Sequence, residues 1–230
     1  MKSLVIIPAY NEEKSIDRVV EDIEKNAPDF DYIIVNDCSG DSTGIHCREK
    51  GYPVLNLPVN LGIGGAVQTG YRYARQHGYE VAVQFDGDGQ HDARYLTEMR
   101  DMLIRQRLDM VIGSRFIEKE GFQSSGLRRM GIRYFSGLIR VLTGSVISDP
   151  TSGMRMAGVG VMESFAQSYP KDYPEPESVV RILRQHFRVR EYPVIMRERQ
   201  EGISSISPGK SVYYMVKVTL AILVEMLRKE

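Results

Sequence analysis

The sequence predicts an α/β protein built on a mostly parallel sheet, and three observations carry that expectation. Short apolar runs alternate with amphipathic helical stretches through the first half of the chain. A polar turn rich in Asp, Asn or Gly follows each apolar run. At 230 residues, with 42% hydrophobic and 26% charged residues, the chain suits one large soluble domain, which excludes disordered, collagen-like and coiled-coil chains.

Taken in order, strands are expected at residues 4–7, 32–35, 54–57, 81–85 and 110–112. Helices are expected between them at about 13–25, 42–50, 63–77 and 93–106. One helix between successive strands makes βαβ units, hence parallel pairing. The second half is less regular. It opens with a basic amphipathic helix at about 127–142, carrying Arg128, Arg129, Arg133 and Arg140. A polar stretch at 149–155, a helix at about 178–186 and a strand around 189–196 follow. Residues 197–211, rich in Ser and Gly, read as a loop. The last stretch, 212–227, is mostly apolar, but Lys217 and Glu225 interrupt it short of the ~20 clean apolar residues a membrane span needs.

Lys plus Arg and Asp plus Glu both total 30, and a net charge of zero counts against nucleic acid held by bulk charge. Residues 1–115 carry 13 basic and 18 acidic side chains, and residues 116–230 carry 17 and 12. An acidic half facing a basic half suits a cation and an anionic ligand meeting between them. Cys38 and Cys47 make neither a disulfide framework nor a zinc cluster and read as free thiols of a reducing cytosol. The apolar run at 4–7 stops at Pro8, too short for a signal peptide.

Ligands of such sheets bind at the carboxyl ends of the strands. Those ends read Pro8-Ala9-Tyr10-Asn11-Glu12, Asn36-Asp37-Cys38-Ser39-Gly40-Asp41, Asn60-Leu61-Gly62, Asp86-Gly87-Asp88-Gly89-Gln90-His91 and Gly113-Ser114-Arg115-Phe116. Asp86 and Asp88 sit one residue apart on a Gly-punctuated turn. They offer oxygens to a hard divalent cation, Mg²⁺ or Mn²⁺, of the kind that bridges a diphosphate. An Asp-Gly turn alone explains such a pair as well; the four accompanying polar strand ends favour a site. Asp41 is assigned to capping the next helix and Asp37 to ligand. The Gly loop at 60–66 follows the third strand, not the first, so its expected use is close packing of a helix start beside the ligand. His91 is expected to support the turn.

In order and spacing these strand ends resemble the family 2 glycosyltransferases with a GT-A fold, most closely the dolichyl-phosphate-mannose-synthase-like branch. The resemblance covers residues 4 to about 205. It implies a GT-A domain at 1–206, with a nucleotide-binding part at about 1–115 and an acceptor part at about 116–206, and a helical tail at 207–230. It implies an inverting transfer from a UDP- or GDP-sugar to a glycan or lipid-linked acceptor, assisted by Mg²⁺ or Mn²⁺. Pro8, Tyr10 and Glu12 would wall the nucleotide, and Asp37 would contact the base. Gly62 and Arg115 would belong to the nucleotide-sugar site. Asp88 would be the main metal ligand, with Asp86 and Gln90 beside it. Arg197, Arg199, Ser204 and Ser205 would close over the diphosphate. Asp149 and Glu177 match the acidic positions of the acceptor side, and a hydroxyl acceptor would need one of them as general base, Asp149 first. A phosphate acceptor needs only cations, and Arg115, Arg128, Arg129 and Arg133 are available. Ser205 and Ile206 stand where the lipid-phosphate branch often has Lys and Leu, and clear C-terminal transmembrane helices are absent; both count against a polyprenyl-phosphate acceptor.

Two other readings stand beside this one. A sugar-1-phosphate nucleotidyltransferase would need a Gly-rich signature with Lys or Arg after the first strand, where Pro8-Ala9-Tyr10-Asn11-Glu12 stands. A catalytically silent partner subunit is at odds with intact Asp37, Asp86, Asp88 and Asp149. The tail suits a helix lying among anionic headgroups, but the absence of a clean span and the neutral total charge favour a helix packed on the domain or on a second subunit. The expectation is a cytoplasmic enzyme, a homodimer, with peripheral contact to the inner membrane face.

Overall fold

The computed structural model describes residues 1–118, 126–197 and 208–228, apart from the side chains of 127, 128 and 208–212. Seven strands form one sheet: β1 (Ser3–Ala9), β2 (Asp31–Asn36), β3 (Val54–Asn56), β4 (Val81–Gln84), β5 (Met110–Ser114), β6 (Arg155–Gly158) and β7 (Val189–Pro193). Their spatial order is β3-β2-β1-β4-β6-β5-β7. All neighbours run parallel except β6, which is antiparallel to both β4 and β5. The expected parallel sheet is present, with one reversed strand, β6, at a place where no strand was expected.

Side-chain alternation along β1 divides the core. Leu4 and Ile6 face one layer with α3 (Gly62–Gln76), α5 (Gly126–Thr143), α6 (Val159–Gln167), α7 (Pro174–Arg184) and α8 (Pro208–Leu227). Val5 and Ile7 face the other, with α1 (Ile16–Asn26), α2 (Thr43–Glu49) and α4 (Leu96–Arg105). The period of two along a strand buried on both faces accounts for the continuous apolar runs. Helix α1 buries Ile16, Val19, Val20 and Ile23, a stripe at helical spacing. Gly70 on α3 faces Ile6, where a Cβ would lie 2.2 Å from Cγ2, so its bare backbone lets α3 approach the sheet.

The chain turns from β3 to β4 by crossing β1, so the carboxyl ends of β1 and β4 flank the point where the winding reverses. That is where open α/β sheets leave a ligand crevice. The Gly loop tightens a different contact from the one expected: a Cβ on Gly64 would fall 1.9 Å from the Pro170 carbonyl, between α6 and α7.

Helix α8 docks along α7. Glu225 reaches Arg181 at 2.9 and 3.2 Å, with both side chains buried, and Arg184 donates to the Glu225 carbonyl. Val218 and Ile222 are buried beside them. Glu225→Ala should cost about 3–5 kcal/mol, because it leaves a buried guanidinium unpaired. Arg181→Met with Glu225→Leu should recover most of that loss. Urea unfolding of the three variants checks the pair.

Candidate active site

The β4 turn is held from several sides. The Asp86 backbone N–H donates to His91 Nδ1 at 3.1 Å, which leaves the imidazole proton on Nε2, 3.8 Å from Asp86 Oδ2. Gln84 Nε2 donates to Asp86 Oδ1 at 3.0 Å, and Asp88 Oδ1 accepts from the Gln90 backbone at 3.0 Å. Ser15 Oγ donates to the Gly87 carbonyl and to Glu12 Oε2, tying the β4 turn to the loop after β1. Gly153 lies so close to Asp86 that a Cβ there would be 2.5 Å from Oδ2.

The donor-side expectations fall along the same edge. Pro8 is buried within β1, and Tyr10 is exposed beyond it. Asn11, at φ 58°, accepts from the Gly40 and Asp41 backbones and so joins the loops after β1 and β2. Asp41 caps α2 through the Thr43 backbone at 3.0 Å. Asp37 is nearly buried, and its Oδ1 accepts from the Leu61 backbone at 2.7 Å. One of its oxygens is therefore spent on the turn into α3, where Gly62 takes φ +78°. Gln90 pairs with Arg197 through their backbones at 2.8 Å. The Arg197 guanidinium rests on Asp22 at 3.2 Å and Asp92 at 3.1 Å. Arg199, Ser204 and Ser205 lie outside the described residues, as does the Arg128 side chain.

The acceptor side departs from expectation at two carboxylates. Asp149 is fully buried, and both its oxygens clamp Arg115, Nε to Oδ2 and Nη2 to Oδ1, each at 2.7 Å. Both oxygens of this carboxylate, expected as a general base, are turned to Arg115, which it orients. Glu191 on β7 holds the turn from behind, accepting from the Asp149 and Ser148 backbones at 2.7 and 2.8 Å. Glu177 lies within electrostatic reach of Glu225, Arg181 and Arg228, toward α8. Glu175 is the carboxyl in the field of Asp86, Arg155 and Arg115. Two residues apart on a helix means about 200° of rotation, so the two glutamates face nearly opposite sides. Pro174 and Pro176 make Glu175 readable in retrospect, since proline at the first turn of a helix puts the start four residues before the one expected.

Burial pushes the Glu175 carboxyl up to about 6, with the Asp86 charge adding to the rise and Arg155 opposing it. Among the described residues no group of three or more His, Cys, Asp or Glu side chains is poised around a cation. Asp86 and Asp88 nonetheless fit one that takes its remaining oxygens from a diphosphate, the usual habit of Mg²⁺. The donor atoms are all oxygen, and both carboxylates belong to one braced turn.

The architecture is the GT-A fold of glycosyltransferases. The crystal structure of glucosyl-3-phosphoglycerate synthase from Mycobacterium tuberculosis, in complex with Mn²⁺, UDP and glucosyl-3-phosphoglycerate, matches it with a TM-score of 0.75 at 17% identity, over 100% of this chain and 81% of that one. Residues 4–164 match the model of Glycosyl transferase family 2, and the chain belongs to that family. It is similar to an undecaprenyl-phosphate mannosyltransferase of Micrococcus luteus, 28% identical over 95% of this chain and 93% of that protein. It is also similar to a polyprenol monophosphomannose synthase of Mycolicibacterium smegmatis, 29% identical over 94% and 85%. A UDP-N-acetylglucosamine–dolichyl-phosphate N-acetylglucosaminyltransferase of Methanococcus voltae is 27% identical over 91% and 85%. The chain is thus a family 2 glycosyltransferase, similar to enzymes of the dolichyl-phosphate-mannose-synthase-like branch.

The raised Glu175 carboxyl has a measurable consequence. The folded state holds that proton more tightly than the unfolded chain, whose glutamate titrates near 4.5. The stability this contributes is complete below 4.5 and is lost as pH rises through about 6. Wild type should therefore lose stability relative to Glu175→Gln between those values, read by urea unfolding across pH 4–7. A constant difference would mean that Glu175 titrates as it does in water.

Proposed function

We propose that the enzyme moves a hexose from a nucleoside-diphosphate sugar to a polyprenyl-phosphate acceptor, with inversion and with a divalent cation bound at Asp86 and Asp88. The observation that carries the reading is the meeting, on one sheet edge, of the Asp86–Asp88 turn with an arginine clamped by a buried carboxylate. Polyprenyl and dolichyl phosphates in the names of the relatives support the acceptor class. An acceptor phosphate oxygen attacks the anomeric carbon from the face opposite the donor phosphate. The bond from that carbon to the diphosphate oxygen breaks, and its electron pair leaves with the nucleoside diphosphate. Asp86 and Asp88, with Gln90 beside them, would hold Mg²⁺ or Mn²⁺, which would supply positive charge against the leaving diphosphate. Arg115, fixed by Asp149, and the exposed Arg129 and Arg133 of α5 are the cations that attract the anionic acceptor.

An already anionic acceptor needs no base. A second reading, a hydroxyl acceptor with Glu175 as base, is favoured by the titration of that carboxyl near 6. Glu175→Gln separates them. A hydroxyl acceptor implies a loss of roughly 10²–10⁴-fold in transfer; a phosphate acceptor implies a change of a few fold. Transfer from GDP-mannose or UDP-glucose to undecaprenyl phosphate, followed by chromatography of the lipid product, tests the primary reading. Asp88→Asn should abolish that product and weaken nucleoside diphosphate binding while the fold persists. Turnover by Asp88→Asn in EDTA equal to that of wild type with Mg²⁺ would overturn the metal role.

We also propose that the seam of α5 and α8 is the face laid on an anionic lipid surface. The helices meet at Gly131 with Met215 and at Tyr134 with Thr219. Exposed Met130 and Val141 on one side, and Val216 and Leu220 on the other, extend an apolar band from that seam. Arg129 and Arg133 rim it, the pattern of an interfacial amphipathic surface. Among the described residues no helix is long and apolar enough to cross a membrane. The protein should pellet with phosphatidylglycerol vesicles at low salt, and Leu220→Glu should release it. No pelleting at any salt, with a dimer on light scattering that Leu220→Glu dissociates, would assign the band to a second subunit instead.

A further inference from the structure

Arg155 opens β6, between β4 and β5, and is completely buried. Among the described residues its hydrogen-bond partners are all uncharged. Nε donates to the Ser152 carbonyl at 2.7 Å and Nη2 to the Pro150 carbonyl at 2.8 Å. Nη1 donates to the Glu175 carbonyl at 2.7 Å and to Ser178 Oγ at 2.6 Å. A buried guanidinium is ordinarily matched by a carboxylate, because removing its charge from water is costly. Here four neutral dipoles hold the guanidinium directly, and the Glu175 carboxyl lies within reach of its charge without bonding to it.

The four acceptors come from two places. Pro150 and Ser152 belong to the turn that carries Asp149 at one end and Gly153, against Asp86, at the other. Glu175 and Ser178 belong to the first turns of α7. Ser178 Oγ also donates to the Glu175 carbonyl at 3.1 Å, so the α7 end of the link is doubled. The planar fork of a guanidinium spans both elements at once, whereas a lysine ammonium is a single point on a flexible stem.

We propose that Arg155 is a positioning residue for the acceptor half of the site, pinning the turn of 149–153 to the opening of α7 so that Arg115, Asp86 and Glu175 keep fixed mutual places. Its charge also offsets the repulsion between the anionic acceptor and the carboxylates around it. The inference rests on glycosyl transfer at this edge of the sheet and adds the residue that holds the acceptor side in register. Donor binding, which belongs to the loops after β1, β2 and β4, depends on it little.

The test compares wild type, Arg155→Lys and Ser178→Ala with undecaprenyl phosphate and whichever of GDP-mannose or UDP-glucose wild type uses. Three readouts are taken: transfer kinetics, donor hydrolysis by water, and nucleoside diphosphate affinity by calorimetry. Arg155→Lys keeps the charge and loses the fork. It should lower kcat/KM for transfer by roughly 10²-fold, the scale of an ångström's misplacement, with donor affinity and hydrolysis within about threefold of wild type. Ser178→Ala should shift the same readout in the same direction by about 10-fold or less, consistent with loss of one arm of the link. Wild-type transfer by Arg155→Lys, or a parallel loss of donor affinity and transfer, would overturn the inference. Should Arg155→Lys not fold, Ser178→Ala decides on the same criteria, unchanged transfer or a parallel donor loss counting against it. Absence of transfer by wild type would instead strike the acceptor reading, which keeps the two failures apart.

Discussion

β6 runs against its neighbours, so its first residue, and not its last, lies at the edge where β4 and β5 end. The turn before it is thereby brought against the turn that follows β4. Gly153 meets the Asp86 carboxylate in that contact, with no space for a side chain between them. Everything on the acceptor side follows from this reversal. Asp149 enters the edge from the same turn and clamps Arg115 as β5 ends. Arg155, first in the strand, reaches from beneath to the opening of α7. A parallel strand in that position would deliver its carboxyl end to the edge, and this set of contacts would have no carrier.

The charges along the edge divide by how they are compensated. Asp149 is matched by the Arg115 guanidinium at two points, by the Arg115 backbone N–H and by the Thr151 hydroxyl, so its negative charge is fully spent. Asp86 keeps a partly open carboxylate between Gln84 and His91. Glu175 shares its surroundings and, being recessed, stays protonated to a higher pH than a glutamate in water. Arg155 beneath, held by neutral dipoles, offsets part of the negative charge of Asp86 and Glu175 above it. Neither half of that balance survives alone, because buried charges of one sign raise the cost of each other.

The C-terminal helix joins this arrangement through α7. Glu225 and Arg181 bind the far end of α7, while Tyr214 packs edge-on against Tyr173 just before its first turn. Tyr173 itself takes φ 51°, a left-handed conformation that a bulky residue adopts only when its neighbours enforce it. The helix that offers an apolar band outward is thus the same one that steadies the opening of α7, where Glu175 stands. The exposed apolar band and the support of the α7 opening share one structural element.

Much of this was legible in the sequence, because its signals are local. Alternating apolar runs and polar turns specify strands and helices through period and punctuation, and the five strand ends carry their chemistry within a few residues of each other. That suffices for the sheet, the Asp86–Asp88 turn and the family resemblance. Strand β6 stayed hidden because it is four residues long and begins with an arginine, a residue that marks an exposed position unless tertiary contacts supply acceptors. The faces of Glu175 and Glu177 were not legible because helical phase depends on where α7 starts, four residues before the expected start. The Arg115 clamp on Asp149 was not legible either: an unpaired acid and one held by an arginine 34 residues away look alike in a string of letters. The sequence by itself determined which residues stand at the ends of the strands, since that is a matter of local pattern. Which of them are free to act and which are spent holding others was decided only by tertiary structure, because ion pairing and desolvation arise between segments distant along the chain.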